Sequence, residues 1–263
     1  MKVLFVGPTL HGEAREAKSS AAPNIERRAP AAQGDIAKAV LDGATAIGLV
    51  DGRYEDVAAP WHKEILFALG EGVAVLGGGS LGALRAAECA AFGMIGVGEV
   101  FDRYARGELV DDSDVAQLHA PAELGFAPLT EALVNVEETL RRLRDGGLLK
   151  ERVASELRRT ARRTFFKELT YETIVARSPD LDVASDDLLK LILSRRVDLK
   201  REDAFALVAR LLDLPDRRSE CRPAWELSQP LSWRRQLARL TNAQAPGAAK
   251  DGWAPPGSQS APG

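Results

Sequence analysis

Three short runs of apolar residues divide the first half of the chain, at residues 3–6, 46–50 and 73–76. Each run is continuous rather than alternating, which is typical of strands buried on both faces of a parallel sheet. We expect helices between them at about 36–41 and 60–69, with Pro60 in the first turn of the second. This order predicts an α/β fold with an open, mostly parallel, three-layer sheet.

A different hydrophobic period begins at Leu129. Apolar residues recur at spacings of four and three, which predicts one amphipathic helix with the stripe Leu129, Leu133, Val136, Leu140 and Leu143. On its outer face we expect two ion pairs, Glu137 with Arg141 and Glu138 with Arg142. Further helices are expected at about 149–174, 185–195 and 202–213, so the second half is predicted to be all-helical.

These patterns predict three regions. Residues 1–128 form an α/β core domain, 129–240 a helical C-terminal region, and 241–263 a disordered tail rich in Ala, Pro, Gly and Ser. Within the first region we expect a loop between the first two apolar runs and a further strand at Val115–His119.

The third apolar run leads into the pattern Gly78-x-Ser80-x-Gly82. A tight strand-to-helix turn can present a serine hydroxyl at the N-terminus of the new helix, where unpaired N–H groups stabilise an oxyanion. Ser80 is therefore a candidate nucleophile, and Gly78, Gly79 and Gly82 are candidate substrate-binding residues. The alternative is a glycine-rich turn that only lets the helix pack closely on the sheet.

Three further residues could assist a serine at the same edge of the sheet. Asp51 follows the second apolar run, and His62 and Lys63 open the next helix. Either His62 or Lys63 is a candidate base, and Asp51 is a candidate to orient it. Successive helical residues point in different directions, so at most one of the two can face Ser80. The alternative for the pair is a solvated first turn.

Charged residues on later helices have two interpretations each. Arg85 and Glu88 lie one turn apart, so we expect either an ion pair between them or an Arg85 guanidinium that faces an anionic substrate. A basic set is expected to form either a solvated face or a docking surface for an acidic protein. It comprises Arg158, Arg159, Arg162, Arg163 and Lys167.

Composition narrows the functional classes. The 263 residues include 35 basic and 38 acidic side chains, with a net charge of −3, which gives no reason to expect nucleic acid or an anionic membrane as partner. No apolar run is long enough to cross a bilayer. Cys89 and Cys221 lack metal-binding spacing and suit a reducing cytoplasm, with Cys89 in the core. We expect a cytoplasmic protein without metal or cofactor.

Taken together, four stretches resemble the TfuA-like family, whose members are encoded beside YcaO enzymes. The stretches are Asp51-Gly52, residues 61–69, residues 79–88 and residues 92–99. The resemblance covers roughly residues 1–145, and continues more weakly through residues 166–171 and 197–203.

The resemblance implies a role in backbone thioamidation of ribosomal peptides. It implies three partners: a YcaO-type enzyme, a small ubiquitin-like sulfur carrier and the precursor peptide. The chain would hydrolyse the C-terminal thiocarboxylate of the carrier and release sulfide. We expect Ser80 to attack the thiocarboxylate carbonyl, with Lys63 or Arg85 offsetting its negative charge and Glu88 beside the substrate. Direct attack by water, with Ser80 as a hydrogen-bond donor, is an alternative.

Two other functions compete with hydrolysis. The first is a non-catalytic accessory module that binds and activates a YcaO enzyme or its peptide, for which the basic set around Arg158–Lys167 would matter and Ser80 would not. The second is nucleotide binding. It is disfavoured because residues 77–82 fit neither the dinucleotide spacing nor the phosphate loop.

Overall fold

The continuous apolar runs form the three central strands of a five-stranded parallel sheet. The computed structural model describes residues 1–12, 24–53, 55, 57–178, 181, 183–221 and 223–243. Its strands run in the order β2-β1-β3-β4-β5, and every pair is parallel. They are β1 (Lys2–Phe5), β2 (Ile25–Arg28), β3 (Ala46–Leu49), β4 (Ala74–Gly78) and β5 (Ile95–Val97). The predicted open α/β sheet is confirmed.

Helices follow the strands and then dominate the second half. The first four are α1 (Asp35–Leu41), α2 (His62–Gly70), α3 (Leu81–Cys89) and α4 (Glu99–Ala105). The next five are α5 (Leu133–Asp145), α6 (Glu151–Arg163), α7 (Tyr171–Ala176), α8 (Ser185–Ser194) and α9 (Leu199–Asp213). Within the described part of residues 129–243 no strand occurs, in agreement with the predicted helical region.

The sheet is covered on both faces. Helices α1, α2 and α3 pack on one face, in a core that includes Phe5, Ile47 and Ile65. Helix α9 covers the other face through Leu207 and Leu211. It approaches closely because β3 carries Gly48, where a Cβ would lie 2.8 Å from a methyl of Leu207.

Four of the remaining helices share a separate core. Helices α5, α6, α7 and α8 pack together through apolar faces that include Leu140, Leu157 and Ile174. Helix α5 also contacts α9, so this cluster continues directly into the layer on the sheet. The second half of the chain thus contributes both a helical cluster with its own core and one face of the α/β sandwich.

Two strands lie where no strand was expected. Strand β2 (Ile25–Arg28) forms one edge of the sheet in a segment predicted to be loop, and β5 (Ile95–Val97) forms the other edge. An edge strand has a neighbouring strand on one side only and is more open to solvent, so it needs no continuous apolar run. The predicted strand at Val115–His119 is wrong. That segment is coil after a 3₁₀ turn, apart from an isolated bridge between His119 and Pro128.

Two helix starts also differ from expectation. Helix α2 begins at His62, so Pro60 precedes its first turn. Helix α5 begins at Leu133, which leaves Leu129 outside it and 57% exposed. Of the expected outer-face pairs, Glu138–Arg142 forms at 2.6 Å. Glu137 is buried and bonds Arg103 and Arg162 instead.

The chain divides into two compact units, residues 1–228 and 229–263. The first contains the sheet and α1–α9. In the second, α10 (Leu231–Ala243) is the helix of the described part. Of the predicted tail, residues 244–263 lie outside the described residues, as do residues 13–23 and Tyr54.

Candidate functional site

The strand order reverses at β1. The chain passes first from β1 to β2 on one side, and the later strands β3, β4 and β5 are added on the other side. In open α/β sheets, ligands bind beyond the carboxyl ends of the strands where the order reverses. Gly7 and Asp51 occupy that position after β1 and β3, and Ser80 follows β4 one strand further along.

Asp51 fastens the segment that follows β1. It is 2% exposed. Its carboxylate accepts hydrogen bonds from the Gly7 N–H at 2.8 Å, the Thr9 N–H at 3.1 Å and the Thr9 hydroxyl at 2.6 Å. These three donors belong to the loop at the edge of the sheet rather than to His62 or Lys63. The structure therefore gives Asp51 the role of positioning the β1 loop.

Ser80 is the N-cap of α3, in the predicted strand-to-helix turn. The turn requires a left-handed residue, supplied by Gly79 at φ +72. The Ser80 side chain caps no backbone N–H of α3, and the residue is 7% exposed. Within the described residues, the N–H groups of Gly79 and Leu81 have no hydrogen-bond acceptor. The two residues that flank Ser80 in the chain thus each have an unused backbone donor.

Other parts of the protein occupy the space beside the three glycines around Ser80. A Cβ would lie 1.8 Å from the Leu49 carbonyl oxygen at Gly82, 2.5 Å from the Val97 carbonyl oxygen at Gly78 and 2.8 Å from the Lys200 carbonyl oxygen at Gly79. Distances this short exclude any side chain larger than hydrogen. All three glycines therefore let α3 and α9 pack closely on the ends of the strands, whatever else they do.

His62 and Lys63 open α2 but contact other groups. The His62 Nε2 lies 2.8 Å from the Glu88 carboxylate, and the Lys63 ammonium donates to the Ser228 carbonyl at 2.7 Å. Glu88 lies eight residues after Ser80, which is about 12 Å along a helix axis. Neither candidate base is hydrogen-bonded to Ser80.

Arg85 joins the same cluster. Its guanidinium donates to Glu88 at 2.6 Å and to the Pro60 carbonyl at 3.1 Å. The expected Arg85–Glu88 ion pair therefore forms within α3. The bonds of Arg85 to the Pro60 carbonyl and of Glu88 to His62 connect it to the start of α2. The cluster of His62, Arg85 and Glu88 lies at the surface, with the His62 side chain 43% exposed.

A buried lysine, which sequence reasoning missed, lies beside the edge of the sheet. Lys200, in the first turn of α9, is 1% exposed. Its ammonium donates to the Val115 carbonyl at 2.8 Å and to the Gln117 side chain at 2.7 Å. Burial lowers the pKa of Lys200, and the nearby Asp51 opposes that shift. Lys200 therefore holds the coil segment at 115–117 against the sheet.

The signal for Lys200 was present in the helical period. Lys200, Asp203, Leu207 and Leu211 fall on one face of α9, and all four are buried. Asp203 accepts hydrogen bonds from the Glu99 N–H at 3.0 Å and the Val100 N–H at 2.7 Å, at the start of α4. Burial raises the pKa of Asp203 to about 6, although these two N–H donors lower it.

A cavity of about 560 Å³ opens beside the end of β1. Pro8 and Thr9 form its boundary with the sheet, and residues from α5, α7 and the segment before α9 complete its wall. Thr9 connects it to Asp51, whereas Ser80 is not among its lining residues. The edge of the sheet therefore carries two neighbouring features, a crowded serine turn and an open polar cavity.

The remaining candidates occupy structural positions. Cys89 is buried, and burial raises its thiol pKa to about 11, as expected for a core residue. Among the described residues there is no group of three or more His, Cys, Asp or Glu that could hold a metal ion. No helix in the described part of the chain is long and apolar enough to cross a membrane.

The basic set on and after α6 is partly neutralised. Arg159 pairs with Glu156 and Arg162 with Glu137, while Lys167 pairs with Glu55 at 2.9 Å. Arg158 and Arg163 form no ion pair within the described residues. These residues thus offer a mixed surface rather than a continuous positive one.

The comparison with known families agrees with the resemblance. Residues 51–170 match the family of TfuA-like proteins. Over these residues the chain is similar to TfuA-like proteins. The TfuA-like segment contains Asp51, the start of α2, the Ser80 turn and helices α3 to α6, whereas α9 with Lys200 follows it. No curated protein matches the chain.

Proposed function

We propose that this TfuA-like protein acts with a YcaO-type enzyme in the backbone thioamidation of ribosomal peptides. The family match over residues 51–170 supports this context, because the TfuA-like family is associated with YcaO-dependent thioamidation. Within it, the proposed activity is hydrolysis of the C-terminal thiocarboxylate of a ubiquitin-like sulfur carrier, with release of sulfide for the peptide.

The observation that carries the activity is the position of Ser80. Ser80 is the N-cap of α3, and the N–H groups of the residues on either side of it in the chain, Gly79 and Leu81, have no acceptor within the described residues. Donors placed in this way stabilise the oxyanion of a tetrahedral intermediate, and the positive end of the α3 dipole adds to the effect. The low exposure of Ser80 suits an extended chain end better than a bulky folded surface.

The proposed chemistry has two steps. The Ser80 oxygen bonds to the thiocarboxylate carbon, the carbon–sulfur bond breaks, and the serine proton leaves with the sulfur as HS⁻. Water then attacks the resulting ester, which restores the Ser80 hydroxyl and gives the carrier carboxylate and a proton. In the first step the leaving sulfur accepts the serine proton, so the balance requires no permanently charged base.

A mechanism without a protein base is consistent with the surroundings of Ser80. His62 lies against Glu88 and Lys63 against a carbonyl, so neither accepts the serine proton in the described arrangement. Proton movement through a water molecule between oxygen and sulfur is consistent with that arrangement. Arg85, on the same helix as Ser80, is the candidate to offset the negative charge of the approaching thiocarboxylate.

A second candidate is the accessory module, and one observation favours it. No base is hydrogen-bonded to Ser80, and the glycines of its turn are occupied by packing contacts. As an accessory module, the chain would bind the YcaO-type enzyme or its peptide without catalysis. Arg158 and Arg163, which form no ion pair within the described residues, would contribute to docking on an acidic surface.

The deciding experiment measures sulfide released from a thiocarboxylated sulfur carrier by the purified full-length protein. We expect release by the wild type and a loss of at least about a hundredfold in Ser80→Ala, the scale of losing a nucleophile. Ser113→Ala, at an exposed serine outside the turn, is the matched control and should keep full activity. Equal release from Ser80→Ala would reject the serine mechanism, and no release from any variant would favour the accessory module.

A further inference from the structure

The cavity beside β1 is lined by charged side chains of both signs that form no ion pair or side-chain hydrogen bond within the described residues: Glu131 and the exposed Glu172 and Arg196. Glu131, just before α5, and Arg196, just before α9, both line it. Within the described residues, neither side chain forms a hydrogen bond or an ion pair. The two groups influence each other electrostatically, yet they do not come within ion-pair distance.

An unpaired carboxylate in this position is unusual. Glu131 is half-buried. Burial raises its pKa, while Arg196 and Lys200 lower it and Asp198 and Glu172 raise it. Buried charged groups are normally paired or hydrogen-bonded, because desolvation without compensation is costly. Asp203 shows the normal case in this protein, since two backbone N–H groups satisfy its carboxylate. Glu131 lacks such donors and is therefore available to a ligand.

The rest of the cavity wall provides amides and apolar surface. Asn135 and Gln117 present side-chain amides, and both are already fixed by hydrogen bonds, to Asp198 and Lys200 respectively. Leu129 and Leu193 add exposed apolar surface. A few fixed polar groups on a partly apolar wall are typical of small-molecule sites.

We propose that this cavity binds a zwitterionic ligand of amino-acid to dipeptide size, with its ammonium group on Glu131 and its carboxylate on Arg196. Each end of such a ligand supplies the counter-charge that the protein lacks at that position. The guanidinium matches a carboxylate with two parallel hydrogen bonds. The apolar wall accommodates an aliphatic side chain. This site is separate from the proposed hydrolysis at Ser80 and does not depend on it.

The test is an NMR titration of the ¹⁵N-labelled full-length protein with L-leucine and with L-alanyl-L-leucine. We expect saturable shifts for at least one of them, concentrated at amides around Glu131, Asn135 and Val197. N-acetylated and C-amidated forms of the dipeptide should each bind at least tenfold more weakly, because each lacks one charge. Failure of both probes to saturate would overturn the proposal, as would equal binding of the capped forms.

Matched variants assign the two charges. Glu131→Gln should weaken the affinity for the free dipeptide at least tenfold and leave the affinity for the N-acetylated form unchanged. Arg196→Gln should also weaken the affinity for the free dipeptide at least tenfold, but it should leave the affinity for the C-amidated form unchanged. Glu123→Gln and Arg195→Gln change exposed residues outside the cavity and should not alter affinity. Equal losses in these controls would contradict the assignment. Ser80→Ala should keep dipeptide binding, so failure of the proposed hydrolysis and failure of this site are distinguishable.

Discussion

The two features at the carboxyl edge of the sheet differ in how the protein fills them. Around Ser80, backbone atoms of β3, β5 and α9 come so close that only glycine fits at three positions. Beside β1, a cavity of about 560 Å³ is left open, and within the described residues its lining includes acidic and basic side chains without an ion pair. The first region is closely packed, and the second is open to a ligand.

The difference shows why a motif alone is a weak guide to a binding site. The glycine and serine pattern indicates a tight turn. A tight turn can serve close packing of the helix on the sheet, and it can equally hold backbone N–H donors in fixed positions. The cavity has no motif, because its residues come from separate segments that the fold brings together. The following predictions test this contrast, in order of decreasing effect.

The largest effect is expected at Gly82. A Cβ there would lie 1.8 Å from the Leu49 carbonyl oxygen, so α3 could not keep its place on β3. We expect Gly82→Ala to lower the free energy of unfolding by about 4 kcal/mol, measured by chemical denaturation. Gly70→Ala is the control, since no atom lies within 4 Å of a Cβ at that position. Equal stability of the two variants would show that the turn is not crowded.

Lys200 connects the two regions, because its carbonyl contacts Gly79 and its ammonium holds Gln117 in the cavity wall. Lys200→Met keeps most of the side-chain volume but leaves the Val115 carbonyl without its donor. We expect a loss of about 3 kcal/mol in the free energy of unfolding. Arg201→Met, at a more exposed neighbour, should cost less. An unchanged melting temperature for Lys200→Met would mean that the lysine does not hold this segment.

The raised pKa of Asp203 predicts that the free energy of unfolding depends on pH. Its folded pKa of about 6 lies above the ordinary aspartate value of 3.8, so the folded state binds the proton more tightly than the unfolded state. The favourable contribution is present below pH 4 and is lost as the pH rises through 6. Relative to Asp203→Asn, the wild type should lose about 2 kcal/mol of unfolding free energy between pH 4 and 7. A constant difference across that range would contradict the raised pKa.

The smallest effect is expected at His62. Because its imidazole lies against Glu88, His62→Gln should reduce the rate of sulfide release less than about threefold, far below the effect of losing a general base. Parallel assays with Glu88→Gln test whether the cluster acts as a unit. A hundredfold loss in His62→Gln alone would show that the imidazole moves to Ser80 during the reaction.

The central strands could be predicted because full burial on two faces requires continuous apolar runs, as at residues 3–6 and 73–76. The edge strands could not. Strand β2 contains Glu26 and two arginines, and β5 has three residues, so neither carries a periodic signal. The start of α5 was misplaced because Leu129 continues the helical spacing by chance and lies exposed in the preceding loop.

Only the local part of the candidate site could be predicted from the sequence. Ser80 belongs to a local turn, and local geometry follows from neighbouring residues. The partners of Asp51 and His62 depend on contacts between distant segments, which no spacing along the chain reveals. Lys200 sits in a charged stretch that reads as a solvated helix, and only its register with Leu207 and Leu211 indicates burial.

The most direct test of the central claim is to look for the ester on Ser80. The wild-type protein is mixed with thiocarboxylated carrier, quenched with acid within the first turnover, and measured by intact-mass spectrometry. We expect a covalent species equal in mass to protein plus carrier minus H₂S, located at Ser80 by peptide mapping and absent from Ser80→Ala. Sulfide release without such a species, undiminished in Ser80→Ala, would contradict the serine mechanism.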